Sequence, residues 1–137
     1  MFKLIKIRGS RTNVPETTVF NVDGVTAYDA GAVYFLGEGT LSKTPFGTSD
    51  VKFIPLETLP ENSGKTAIRG YIVSEEMVFE TKIYEDYNEV KVGDPICART
   101  NENGAMAYVE GMVGEDAMLL SKDGVQKTRK VLVALKW

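Results

Sequence analysis

Apolar and polar residues alternate almost without a break over residues 77–84, with Met77, Phe79, Thr81 and Ile83 on one side and Val78, Glu80, Lys82 and Tyr84 on the other. Successive side chains of a strand point to opposite faces, so this period predicts a half-buried β-strand. Runs of similar character at 2–8, 17–22, 25–28, 51–56, 65–73, 96–100, 105–109, 117–121 and 130–137 predict further strands. The run Ala32-Val33-Tyr34-Phe35-Leu36 is apolar throughout and predicts a strand buried on both faces.

Turn chemistry punctuates these runs. Asp23-Gly24, Asn103-Gly104 and Asp123-Gly124 suit two-residue turns that need positive φ. The first should fold 17–22 onto 25–28, the second joins 96–100 to 105–109, and the third separates the last two strands. Ser74-Glu75-Glu76 reads as the connection of an antiparallel hairpin between 65–73 and 77–84, and Gly70 marks a bulge or a close backbone approach. Residues 37–50, rich in Gly, Ser and Thr, read as one long loop of the kind that carries partner contacts. Only 56–61 and 114–120 suggest a helical turn. The predicted fold is all-β, an antiparallel barrel or sandwich of short strands with one long loop and little or no helix. The first and last runs are placed to pair and close it. The organisation expected is an N-terminal strand, or arm, and loop over 1–15, followed by a single β-rich domain over 16–137.

Composition narrows the function more than the fold. With 137 residues, 43% of them hydrophobic and 26% charged, the chain has the size and make-up of one globular domain. The formal charge of -3 and the scattered Lys and Arg residues, clustered only at Lys127, Arg129 and Lys130, argue against direct nucleic-acid binding. No run approaches the roughly 18 apolar residues that span a bilayer, and the first residues lack the apolar stretch of a signal peptide, so no membrane partner is expected. A lone cysteine, Cys97, permits no internal disulfide and reads as a small core hydrophobe.

The chain contains no histidine. That removes the usual general base, the Ser-His and Cys-His pairs and the commonest metal ligand. Gly64-Lys65-Thr66 resembles the end of a P-loop, but Leu59 stands where the motif needs glycine. Gly37-Glu38-Gly39 lacks the context of a dinucleotide fingerprint. Glu75, Glu76, Glu80, Glu85, Asp86 and Glu89 form the densest acidic region, at spacings that fit no EF-hand and suit solvated strand faces. The aromatic residues sit mostly in strands, where core and cross-strand packing is their ordinary use. No catalytic residue, cofactor or metal is expected, and the chain is read as no enzyme.

Phe53-Ile54-Pro55-Leu56-Glu57, a polar loop, Lys65-Thr66-Ala67-Ile68-Arg69-Gly70-Tyr71-Ile72-Val73 and Met77-Val78-Phe79-Glu80 together resemble the head decoration, or capsid cement, proteins of tailed bacteriophages. The likeness covers roughly residues 24–80. It implies a virion structural protein on the capsid surface, assembled in the host cytoplasm, that bridges neighbouring major capsid protein subunits as a homo-oligomer such as a trimer. Such a role needs complementary surface and no chemistry. An extended N-terminal run can add to a neighbour's sheet edge. Phe2, Leu4 and Ile7 are therefore candidate interface residues, with Thr44, Pro45 and Phe46 from the long loop. Residues 90–96 look instead like a turn of small β-barrel carrier domains. The alternative function is accordingly a binding or adaptor module of another assembly, a phage tail or baseplate or a cellular complex.

Overall fold

The alternating run becomes strand β7 (Met77–Lys82) and behaves as its pattern demands: Met77, Phe79 and Thr81 are buried, Glu80 is half-buried and Lys82 is exposed. Val78 is the exception, buried on the opposite side. The computed structural model describes residues 1–7, 17–20, 27–37, 40–45, 51–61 and 67–136, and among the described residues every regular element is a strand. The others are β1 (Lys3–Ile7), β2 (Thr17–Phe20), β3 (Tyr34–Gly37), β4 (Thr40–Ser42), β5 (Val51–Pro55), β6 (Ala67–Ile72), β8 (Pro95–Thr100), β9 (Met106–Val113), β10 (Ala117–Lys122) and β11 (Lys130–Leu135).

Two antiparallel sheets result. One has the order β1-β7-β11-β10-β8-β9 and the other β2-β6-β5-β3-β4. The hairpin expected at Asn103-Gly104 is present: β8 pairs with β9, and Gly104 takes φ 82°, a left-handed value that glycine adopts without a steric penalty. Asp123-Gly124 likewise begins the connection between the paired strands β10 and β11. At the end of β7, Ile83 bridges Val109, and the Tyr84 N–H donates to the Val109 carbonyl at 2.7 Å. This brings the chain back beside β9, so the six-stranded sheet is curled.

Several pairings differ from the sequence expectation. β6 and β7 form no hairpin, because both edges of each strand are already occupied. β6 lies between β2 and β5, while β7 lies between β1 and β11. Residues 74–76 therefore carry the chain from one sheet to the other. The first and last strands do not pair together; Leu4 and Val133 flank Phe79 from opposite sides. Tyr28 exchanges two backbone hydrogen bonds of 2.9 Å with Leu59, which gives it a partner other than 17–22, and the Asp23-Gly24 turn lies outside the described residues. Part of the expected long loop is β4, which pairs with β3 through Leu36 opposite Leu41; residues 46–50 lie outside the described set. Neither suggested helical turn forms, since Leu59 is bridged to Tyr28 and residues 117–120 belong to β10.

The main core lies between the sheets and joins Phe35 and Ile54 of the five-stranded sheet to Phe79, Leu119 and Val133 of the other. Phe2 closes it by meeting Phe79 edge-on, with ring centroids 6.4 Å apart. A second cluster covers the far face of the five-stranded sheet: Tyr34, Leu41, Phe53 and Ile68, capped by Tyr28, Leu59 and Ala105. The apolar run at 32–36 is thus buried on both faces, as its pattern predicts. Each large side chain so buried contributes roughly 1.5–3 kcal/mol. Gly70 permits the close approach of β5: a Cβ there would overlap the Ile54 carbonyl and come 2.6 Å from the Phe53 ring.

Candidate interaction surfaces

In β10 and β11, Ala117, Leu119, Val131, Val133 and Leu135 are buried, while the alternate positions Met118 and Leu120 are at least partly exposed. Register sets Met118 opposite Ala134 on one side and Pro95 on the other, in a row across three strands. Val113 at the end of β9, opposite Ile96, lies beside this row, and together these residues line a groove of about 780 Å³. Val113 is 85% exposed and Met118 48% exposed. A Glu115–Lys136 ion pair at 3.9 Å stands at the margin. Apolar residues within a charged rim are the usual anatomy of a protein-binding surface.

Cys97 lies behind Val113. Its thiol donates to the Val113 carbonyl at 3.2 Å and packs against Gly114. Burial, and then the nearby Asp116 and Glu110 carboxylates, push its pKa up. The group is a half-buried packing element held as the thiol and belongs to neither core cluster, where the sequence reading expected a core hydrophobe.

A second groove, of about 990 Å³, opens where the 101–105 turn, the end of β7 and the β10–β11 connection meet. The Arg99 guanidinium lies 3.6 Å from the centroid of the Tyr84 ring and reaches Glu110 at 3.2 Å and Glu85 at 3.4 Å. Tyr108 packs 6.5 Å from Tyr84. Asp29 accepts hydrogen bonds of 2.8 Å from the amides of Asn101 and Asn103. Arg129 has φ 53°, closing a turn in which its N–H donates to the Val125 carbonyl at 3.0 Å. Its guanidinium donates to the Tyr84 carbonyl at 2.9 Å.

Asp123 fixes the connection that carries Lys127 and Arg129. Its Oδ1 accepts from the Val125 N–H at 2.8 Å and from the Tyr87 hydroxyl at 3.0 Å, and its Oδ2 from the Thr128 hydroxyl at 2.8 Å. The Val125 N–H first, then Thr128 and Tyr87, hold this carboxyl below its ordinary pKa. Burial, and then donation to Asp123, push the Tyr87 hydroxyl up.

The candidate interface residues are dispersed between these environments. Phe2 is buried against Phe79, and its N–H donates to the Gly31 carbonyl at 2.8 Å. Leu4 and Ile7 are half-buried and pack against the main core. Thr44 and Pro45 are exposed after β4, in the other sheet from β1, and Phe46 lies outside the described residues. Residues 1–7 of the expected arm thus add β1 to the six-stranded sheet. Comparisons with protein-family models, curated proteins and solved structures found no match.

The surfaces themselves therefore carry the functional argument. Among the described residues no group of three or more His, Cys, Asp or Glu is placed to hold a metal, and no helix is long and apolar enough to cross a membrane. The sequence reading missed the apolar face for two reasons. It ended the strand at Val109 rather than Val113, and although it placed a strand at 117–121 it did not follow the alternation of Ala117, Met118, Leu119 and Leu120 to a solvent-facing row. That alternation was the available signal.

Proposed function

We propose that the chain is a virion structural protein that decorates or cements the capsid of a tailed bacteriophage, seating the apolar face of β8, β10 and β11 on neighbouring major capsid protein subunits. The observation that carries this reading is the groove lined by Pro95, Val113, Met118 and Ala134, with Val113 and Met118 open to solvent and the Glu115–Lys136 pair at its margin. Exposed apolar surface of this kind gains free energy when covered by a complementary partner. The pattern resemblance over residues 24–80 supplies the capsid as that partner. The role calls for a rigid body, which the doubly covered five-stranded sheet supports, and for no reacting group.

Co-sedimentation with expanded shells of the phage that carries the chain tests this directly. The wild-type protein should bind and raise the temperature at which the shells break. The Val113→Glu, Met118→Glu double variant should fold, yet bind at least about tenfold more weakly, since a charge in a desolvated interface core has no partner. Failure of the wild-type chain to bind such shells would remove the capsid assignment. Retention of a different protein through the same two residues would support the adaptor reading.

A further inference from the structure

Lys82, Lys127 and Arg129 line the second groove. None of the ion pairs among the described residues includes any of the three. Arg99 is neutralised by Glu85 and Glu110, which leaves these three cations against the two carboxylates of Asp29 and Glu102. In a chain of net charge -3 this is a local excess of positive charge. Register sharpens it, because Lys82 stands directly opposite Lys130 across β7 and β11. Like charges directly opposite in a ladder destabilise it. Arg129 adds a left-handed backbone to the same wall. Arg99 is already engaged by Glu85 and Glu110 and lies over the Tyr84 ring, with Tyr108 tilted beside it.

We infer that this groove binds a carboxylate-rich polypeptide segment of a partner protein, with Lys82, Lys127 and Arg129 taking its acidic side chains and Tyr84 its apolar stems. A nucleic-acid strand fits less well. Glu102, Asp29 and Glu85 would interrupt a continuous run of phosphates, whereas separated carboxylates can pass between them. The groove shares no lining residue with the apolar face, so its test stands whether or not that face meets a capsid.

The probe is a short fluorescein-labelled peptide of alternating glutamate and serine, followed by anisotropy at low salt, beside a peptide with glutamine in place of glutamate and an oligothymidylate of equal length. The glutamate peptide should bind, the glutamine peptide should not, and added salt should weaken the complex. Lys82→Gln, Lys127→Gln and Arg129→Asn should together weaken it by about two- to fivefold for each cation removed. Asparagine tolerates the left-handed backbone at 129, so the melting temperature should change little. Glu102→Gln, at the exposed margin, should tighten binding by about twofold. Equal binding of the two peptides overturns the proposal, as does tighter binding of the oligothymidylate. An unchanged affinity in a folded triple variant overturns it too. If that variant unfolds, Glu102→Gln decides, and no tightening overturns the proposal.

Discussion

The two sheets use the same residue types to opposite ends. In the five-stranded sheet the middle strands β3 and β5 are covered on both faces, with Phe35 and Ile54 turned to the main core and Tyr34 and Phe53 to the second cluster. In the six-stranded sheet the inner positions Leu119 and Val133 are fully buried while Met118 on the other side remains 48% exposed. Apolar residues on the outer face of the first sheet stabilise the fold; on the second they leave free energy to be gained from a partner. Burial by the chain itself is what distinguishes a core position from a contact position.

The largest effect should come from breaking the closed sheet. Phe53→Ala empties a site with 0% exposure beside Gly70 and should lower unfolding free energy by about 3–5 kcal/mol in urea titration. A loss below about 1 kcal/mol would show that the second cluster is not a core. In the curled sheet, Asp123→Asn removes the charge and replaces the Oδ2 acceptor of the Thr128 hydroxyl with an NH2, while keeping one carbonyl oxygen for Val125 and Tyr87. The folded carboxyl titrates below its ordinary 3.8, so its contribution is complete above that pH and disappears as pH falls through the lower folded value. The variant should be less stable at neutral pH, and its stability should fall less steeply below pH 3.8. An acid limb identical to the wild type would refute the role given to this side chain.

Smaller effects sharpen the contrast. Among the described residues the buried Tyr28 hydroxyl has no hydrogen-bond partner, and burial followed by the neighbouring Tyr34 pushes its pKa up. Tyr28→Phe should therefore leave stability unchanged or raise it by up to about 1 kcal/mol; a drop in melting temperature would reveal a bond to the hydroxyl. Smallest of all, Val113→Thr with Met118→Ser should shift stability by less than about 0.5 kcal/mol. The same pair should reduce binding of an apolar dye such as ANS, and undiminished fluorescence would place the exposed apolar surface elsewhere.

Strand positions were largely legible because alternation reports burial directly: β7, β8, β10 and β11 fall where Met77, Ile96, Leu119 and Val133 repeat at every second residue. The partners of those strands were not, because a face pattern carries no information about which edges meet. Ser74-Glu75-Glu76 looks the same whether it turns a hairpin or crosses between sheets, and only occupation of both β6 edges by Thr17 and Phe53 decides it. Gly70 was readable as a close approach, though not as an approach to Ile54. Of the candidate interface residues, the apolarity of Phe2, Leu4 and Ile7 gave equal support to contact and core, and these side chains turn inward. The basic cluster Lys127, Arg129 and Lys130 was visible in the chain, but its convergence with Lys82 depends on the β7–β11 register.

The anchoring of Phe2 has a mechanical consequence. The Phe2 N–H donates to Gly31, whose own N–H donates to the Pro55 carbonyl at 3.0 Å, so the start of β1 is tied through one residue to the other sheet. Farther along, the bonds of β1 to β7 run across the strand direction. Tension applied along β1 loads those bonds together in shear, where an unzipping pull would open them one at a time. Tethered by this strand, the domain would hold its shape under load and then yield abruptly, whereas a tether in the 123–129 connection would peel β10 from β11 in steps.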